Sequence, residues 1–512
     1  MRGEQFGRIG GQASFGSVAL QVGPLRVLLH RMALVAETGV RVILFPLVPE
    51  GDRERVRRPW RHVLALAAIV CVSVAAISYG LWSRAPPTYP PMPALVPGVT
   101  PIQRVIVIMK ENHGFDNYFG TFPGADGIPA NASLPDGAGG MVKPHWLDTS
   151  WTLDLPHSRA DMLEAFDGGK NDLFAAVAER VFPGLGNISV GYYDGRQIPY
   201  YWSLARNFTL ADRYFSSMLG PTDPNRLFSI AGTAGGLANN PLYGSGVDVP
   251  TIFDQLEAQG ISWRYYGITN DREITTPLQL PHIAANGALS SNVLHLDTVA
   301  SDITAGRLPS VTYIDPNGYL ADSLKISEHP PGDVTDGQAW TAGVIDAIMA
   351  SPMWPTCAVF LTWDESGGFY DHVPPLQVDE WGYGFRVPML IISPFSKRGF
   401  LDHDVMDHTS ILKFIATNWN LSALTTREAN ANDMMSAFTF PLGHMSELVD
   451  FLQPGHEDGG RFVFLWDAAA VLSPGQGRRE RSVHARGQVA LNRCLIGLRA
   501  DRRGAAVGAR AR

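Results

Sequence analysis

The chain has 512 residues, 45% of them hydrophobic and 18% charged, with a formal net charge of −8; that length supports a large core and roughly two to four domains. The charge is segregated: residues 1–84 carry +6, residues 478–512 carry +8, and residues 85–477 carry −22. So acidic a body lacks the basic face of a nucleic-acid binder, and the three distant cysteines, Cys71, Cys357 and Cys494, exclude a disulfide framework or a cysteine metal cluster.

Residues 1–61 are rich in Arg and Gly and show no sustained periodicity. This stretch is expected to be disordered, or in part the product of a start assigned too early, with Met32 as an internal alternative. Residues 62–82 follow the basic stretch DRERVRRPWR, and Val63 to Trp82 is twenty residues without a charge, about what a bilayer span needs. The basic flank keeps the amino side in the cytoplasm, so the following domain is expected outside. The segment reads as a retained signal anchor; a cleaved signal peptide, of twin-arginine type given Arg57-Arg58, is the competing reading. The catalytic domain is therefore expected to be membrane-anchored and extracytoplasmic, or secreted after cleavage. Residues 83–99 hold six prolines and read as an extended linker.

From residue 100 to 452, strand-like runs alternate with helical patterns. Strands are expected at VIVIM (105–109), VTYID (311–315), CAVFLTWD (357–364) and VPMLIIS (387–393), and helices at 251–259, 336–350 and 408–418. That alternation predicts an α/β domain with a mostly parallel sheet covered on both faces. Residues 453–512 form a basic tail, expected to be disordered.

The chemistry sits where strands are predicted to end. The apolar run Val105–Met109 leads into Glu111-Asn112-His113, and CAVFLTW leads into Asp364-Glu365, followed by Gly367-Gly368 and Asp371-His372. Open α/β sheets place ligands at the carboxyl ends of their strands. Adjacent carboxylates repel unless a cation neutralises them, and an oxygen-rich set of this kind suits a hard divalent ion. Asp364 and Glu365 could instead cap a helix. A third segment, SSMLGPTDPNRLFS (216–229), puts the Thr222 hydroxyl after a Gly-Pro turn, with Asn225 and Arg226 as candidate ligands for anionic oxygens. Taken alone, Thr222 reads better as the cap of a helix after an ordinary turn. His157, His329, His372 and His408 all stand beside turn residues and are candidates for ligand binding or proton transfer.

Taken together, ENHGFDNYFG, DLPHS, GGKND, DRYFSSMLGPTDPNR, SEHPP, WDESGGFYDHVPP, YGFRVPMLIISPFSK and DHTSILKFI resemble, in order, the bacterial phospholipase C and acid phosphatase family of phosphoesterases, from about Pro101 to Leu442. The resemblance implies a three-layer α/β/α sandwich of the alkaline phosphatase-like type. It implies one divalent metal ion held by Glu111, Asn112, Thr222, Asp364 and Glu365, with Thr222 as nucleophile. It also implies His157, His329 and His372 near the phosphate or leaving group and matches His408 to a motif histidine; Asn112, Asn225, Arg226 and His408 are the candidate substrate contacts. The substrate is expected to be a phospholipid or another phosphate ester, cleaved through a Thr222 phospho-enzyme. Phospholipase C-type cleavage of head groups leads, acid phosphatase action on monoesters is the alternative, and a non-catalytic binding protein on the same fold is a third reading. Two features depart from the family: Gly114 stands where Ser is usual, and no β-rich region follows the catalytic stretch, which removes the expectation of haemolytic activity. A sulfatase would need Cys or Ser where this chain has Thr222.

Overall fold

The computed structural model describes residues 13–22, 25–36, 39–46, 95–268, 275–317 and 325–440. The chain divides into two compact units, Met1–Pro90 and Pro91–Arg512. The apolar segment 62–82, most of the linker 83–99 and the tail 453–512 lie outside the described residues. Among the described residues, no helix is long and apolar enough to cross a membrane.

In the first unit, Ala13–Val22, Leu25–Ala36 and Gly39–Pro46 pair as an antiparallel meander. Within residues 1–61, expected to be disordered, the described residues form these three strands. The runs are rich in Val, Leu and Ile and are separated by Gly23-Pro24 and Glu37-Thr38, so strand-forming residues alternate with turn-forming ones.

The second unit is built on eight strands: β1 Arg104–Lys110, β2 Thr209–Ala211, β3 Trp263–Gly267, β4 Val293–His295, β5 Val311–Ile314, β6 Cys357–Trp363, β7 Met389–Ile392 and β8 Phe400–Asp402. Their order is β4-β3-β5-β1-β6-β7-β2-β8, and all are parallel except β7, which is antiparallel to both neighbours. The mixed α/β architecture with a mostly parallel sheet is thus as expected. Val105–Ile108 and Cys357–Leu361 are fully buried, as strands sandwiched between helical layers must be. In sequence they are unbroken apolar runs for that reason.

Four helices carry or support the polar segments: α1 Phe115–Phe119, α2 Thr222–Ala231, α3 Val334–Met349 and α4 His408–Trp419. Helix α2 packs against α4. The expected helices 336–350 and 408–418 correspond to α3 and α4, and 251–259 to Ile252–Ala258.

Candidate active site

Strands β5, β1 and β6 are adjacent and parallel, with Lys110 opposite Trp363 and Ile108 opposite Ile314. Their carboxyl ends therefore deliver Asp315, Glu111-Asn112 and Asp364-Glu365 to one edge. Asp315 is missing from the residues singled out in sequence, although it ends the predicted strand VTYID in the same manner as Asp364 ends its own.

The turns after these strands are held tightly. Asn112 adopts a left-handed conformation, φ 62°, which asparagine tolerates better than other non-glycine residues. Its backbone N–H donates to Asp364 Oδ1 at 3.1 Å, and the Glu365 N–H donates to the same oxygen at 2.8 Å. Gly367, φ 63°, passes so close that a Cβ there would overlap the Asn112 carbonyl. Asp364 and Glu365 form a turn rather than a helix cap.

Arg226 is the counter-charge beneath this edge. It is 1% exposed and donates from Nε to Asp364 Oδ2 at 3.0 Å, from Nη1 to Asp315 Oδ1 at 2.6 Å, and from Nη2 to the Lys110 carbonyl at 3.1 Å. Those bonds commit the guanidinium to protein oxygens, which corrects its expected role as a substrate contact. Asn225 is corrected likewise. Its Oδ1 accepts from the Met218 N–H at 3.0 Å, and its Nδ2 faces the carbonyls of Met218, Gly220 and Pro221 at 3.3, 2.8 and 3.1 Å. The amide staples the loop that leads into α2. Thr222 is the first residue of α2, preceded by Pro221 as N-cap with no side-chain capping bond. It lies one turn before Arg226, and residues four apart share a helix face, so Thr222 stands on the side of the carboxylates. The Asp223 N–H is taken by Asn240 Oδ1 at 2.8 Å and Pro224 has none, so at this helix start the positive end of the helix dipole and the Thr222 N–H are what favour an anion.

Two histidines converge on the same edge. His157 Nδ1 bonds the Leu155 carbonyl at 2.6 Å, and His329 Nδ1 bonds the Pro330 carbonyl at 2.6 Å. With Nδ1 as donor, each ring carries its lone pair on Nε2. The Asn112 amide lies 3.4 Å from His157 Nε2, Glu365 Oε1 lies 3.9 Å from it, and the two rings are 6.2 Å apart. Asp154, His157 and His329 bring one ligand atom each within 4.8 Å of the others. Asp154 is another participant not singled out in sequence.

The other histidines are elsewhere engaged. His372 bonds Asp116 Oδ2 through Nδ1 at 2.7 Å and through its backbone N–H at 2.8 Å. It belongs to a separate cluster with Asp371 and Arg386. This corrects its expected grouping with His157 and His329. Burial pulls its pKa down, but the Asp116 hydrogen bond and charge raise it above the ordinary value. His408 is wholly buried, accepts from the Tyr214 hydroxyl at 3.0 Å, and donates from Nε2 to the Asp364 carbonyl at 2.6 Å. It buttresses the carboxylate turn from behind, so its expected contact with substrate is also corrected; burial pushes its imidazole pKa down. His113 is buried too, with its nitrogens on Asn117 Oδ1 at 2.7 Å and the Glu328 carbonyl at 2.8 Å.

A buried ion pair ties two of these segments together. Lys110, just before Glu111, lies 3.2 Å from Glu328, just before His329, with both side chains fully buried. Tyr118, Tyr201 and Trp363 also donate to the Glu328 carboxylate. Neither member was visible as a partner in sequence, because 218 positions separate them.

The electrostatics of the edge ask for a cation. Burial, reinforced by Asp364 and Asp315 and opposed by His329 and Arg226, pushes the Glu111 carboxyl up to about 7. Burial and then the Asp364 charge hold Glu365 well above the carboxylate range. Asn112 Oδ1 and Glu365 Oε1 are buried with no hydrogen-bond partner, a costly state for polar atoms unless a ligand completes them. Carboxylate and amide oxygens are the donors a hard divalent ion takes. The residues present therefore fit a metal.

The model for the Phosphoesterase family matches residues 102–422. Among curated proteins, a non-hemolytic phospholipase C from Pseudomonas aeruginosa is 31% identical over 411 residues, covering 66% of this chain and 57% of that protein. Phospholipase C B from Mycobacterium tuberculosis is 30% identical over 421 residues, covering 67% of this chain and 78% of that one. Non-specific phospholipase C1 from Arabidopsis thaliana is 28% identical over 386 residues, covering 66% and 71%. The chain thus spans little more than half of the Pseudomonas protein. Among solved structures, a protein in the alkaline phosphatase superfamily from Vibrio parahaemolyticus overlays with a TM-score of 0.34 at 12% identity, covering 70% of this chain and 75% of that one.

Proposed function

The chain belongs to the Phosphoesterase family, and we propose that it hydrolyses phosphate diesters, with phospholipid head groups as the substrate class. The relatives named phospholipase C support that class. The observation that carries the reading is the pair of unpartnered buried oxygens, Asn112 Oδ1 and Glu365 Oε1, in a carboxylate edge beside the start of α2.

Glu111, Asn112, Thr222, Asp364 and Glu365 would hold one divalent cation. When bound, it supplies neutralisation of the carboxylates and a lowered pKa for the Thr222 hydroxyl. The nucleophile is the Thr222 oxygen, its proton released to solvent before the attack, and it forms a bond to phosphorus as the bond to the leaving alcohol breaks. The Thr222 N–H and the positive end of the α2 dipole stabilise the charge on the phosphoryl oxygens. The leaving oxygen takes a proton from Nε2 of His157 or His329 in its imidazolium form. Their Nδ1–carbonyl bonds aim that nitrogen and fix the tautomer that receives the proton back from water in the second step. Water then cleaves the phosphothreonine and releases the phosphorylated head group. Arg226 and His408 hold Asp364, and Asn225 holds the loop before Thr222. Export through the apolar segment 62–82 belongs to the same reading and accords with a lipid substrate.

The test is turnover of a phosphocholine diester and of a phosphate monoester by the full chain with defined cations. Thr222→Ala should lower kcat by at least about a thousandfold while cation binding by calorimetry persists. Thr222→Ser should retain turnover and trap a phosphoserine on rapid acid quench. Wild-type turnover by Thr222→Ala, or preference for monoesters at low pH, overturns the corresponding part of the reading.

A further inference from the structure

The segment that delivers His157 to the site also presents the one exposed tryptophan among the described residues. Trp151 is 52% exposed and Leu153 is 50% exposed, whereas Thr152 between them is buried. Side chains two apart on an extended chain share a side, so the two apolar groups project together and Thr152 faces the other way. The exposure does not come from a loose loop. The Val334 N–H donates to the Ser150 carbonyl at 2.8 Å and the Ser150 hydroxyl to Asp333 Oδ2 at 2.6 Å, which pins the segment to the start of α3. Thr149 Oγ1 exchanges hydrogen bonds with the Trp151 backbone at 3.1 and 3.3 Å. Leu153 lies four positions before His157, a reach of at most about 14 Å.

We infer that Trp151 and Leu153 form a docking surface for a phospholipid bilayer of zero net charge, seating the mouth of the site on the lipid plane. This rests on the phospholipid reading of the site. Three observations select the occupant. A rigid indole with a neighbouring aliphatic group suits the interface between head groups and acyl chains. The pair stands on the segment that carries His157, close to a site that must receive a head group still attached to its bilayer. Residues 85–477 carry −22, and Asp148 and Asp154 flank the pair, so an anionic surface is repelled and attachment must come from apolar insertion. A soluble ester would need no such surface.

The experiment uses the full chain, its Trp151→Phe variant and the Trp151→Ala/Leu153→Ala double variant. With vesicles of phosphatidylcholine brominated on the acyl chains, the fluorescence difference between wild type and Trp151→Phe should be quenched. That readout is independent of catalysis and of any lipid contact made by residues 62–82, which both proteins share. The double variant should lose about tenfold in kcat/KM on phosphatidylcholine vesicles, a modest figure for two half-exposed side chains. Its turnover of the soluble diester p-nitrophenyl phosphorylcholine should stay within about twofold of wild type. An unquenched Trp151 overturns the inference, as does a Trp151 shielded by self-association without lipid. If wild type cleaves neither substrate yet Trp151 is quenched, the diesterase reading fails and the docking surface stands.

Discussion

Arg226→Met is the sharpest test of how the edge is assembled. Arg226 is buried between Asp364 and Asp315, bonds both at 3.0 and 2.6 Å, and donates to the Lys110 carbonyl. Removing it leaves two buried carboxylates facing each other without their counter-charge. Breaking a buried pair from one side costs about 3–5 kcal/mol, a large part of the stability of an ordinary domain. The assay is urea unfolding followed by tryptophan fluorescence, in chelator so that no cation replaces the guanidinium. Arg226→Lys should recover part of the loss, since the charge returns without the fork that spans both acids. The loss should shrink as pH falls, because burial already holds the Asp315 carboxyl above its ordinary value and protonation removes the uncompensated charge. A variant within about 1 kcal/mol of wild type with a raised KM would refute the reasoning and return Arg226 to the substrate.

Asn225→Ala removes the bonds to Met218, Gly220 and Pro221; kcat should fall with KM little changed, by steady-state kinetics, and a selective rise in KM would contradict the stapling role. Lys110→Met should destabilise by about 3–5 kcal/mol by leaving the buried Glu328 carboxylate without its counter-charge, and Lys110→Met/Glu328→Gln should regain most of it; additive losses in the double variant would show that the pair is not coupled. In cation-free protein the Glu111 carboxyl is raised in the fold to about 7 from 4.5. Its contribution is therefore full below pH 4.5 and is lost as pH rises through 7, a fall of about 3 kcal/mol. Urea midpoints at pH 5 and pH 8, with and without added divalent cation, check this; the cation should abolish the difference, and a pH-independent midpoint in its absence would count against the buried carboxyl.

Much of the architecture was legible in the sequence. The run Val105–Met109 and the run Cys357–Trp363 announced central strands because burial on both faces demands unbroken apolar residues, and polar groups directly after them announced a ligand edge. Thr222, Glu111, Asn112, Asp364 and Glu365 were singled out by position relative to strand ends and turns, which is local information. The short apolar stretches between Ala13 and Pro46 were missed because they lack a helical period, although Gly23-Pro24 marked a break between strands.

What the sequence could not decide is which polar groups face a ligand and which face each other. Arg226, Asn225 and His408 have the chemistry of substrate contacts, yet each is spent on protein: on Asp364 and Asp315, on the loop before Thr222, and on the Asp364 carbonyl. His372 stands seven residues after Glu365 but is drawn to Asp116 and Arg386. The reason is energetic. A buried charge or amide must be paired, and the partner that satisfies it is fixed by strand order and helix packing across a hundred residues or more, not by neighbours in the chain. Sequence therefore determined the donor set and the edge on which it stands. The tertiary structure alone decided that Asp315, Lys110 and Glu328 complete its support, and that two of four histidines, His157 and His329, stand together beside it with Nδ1 held by a backbone carbonyl.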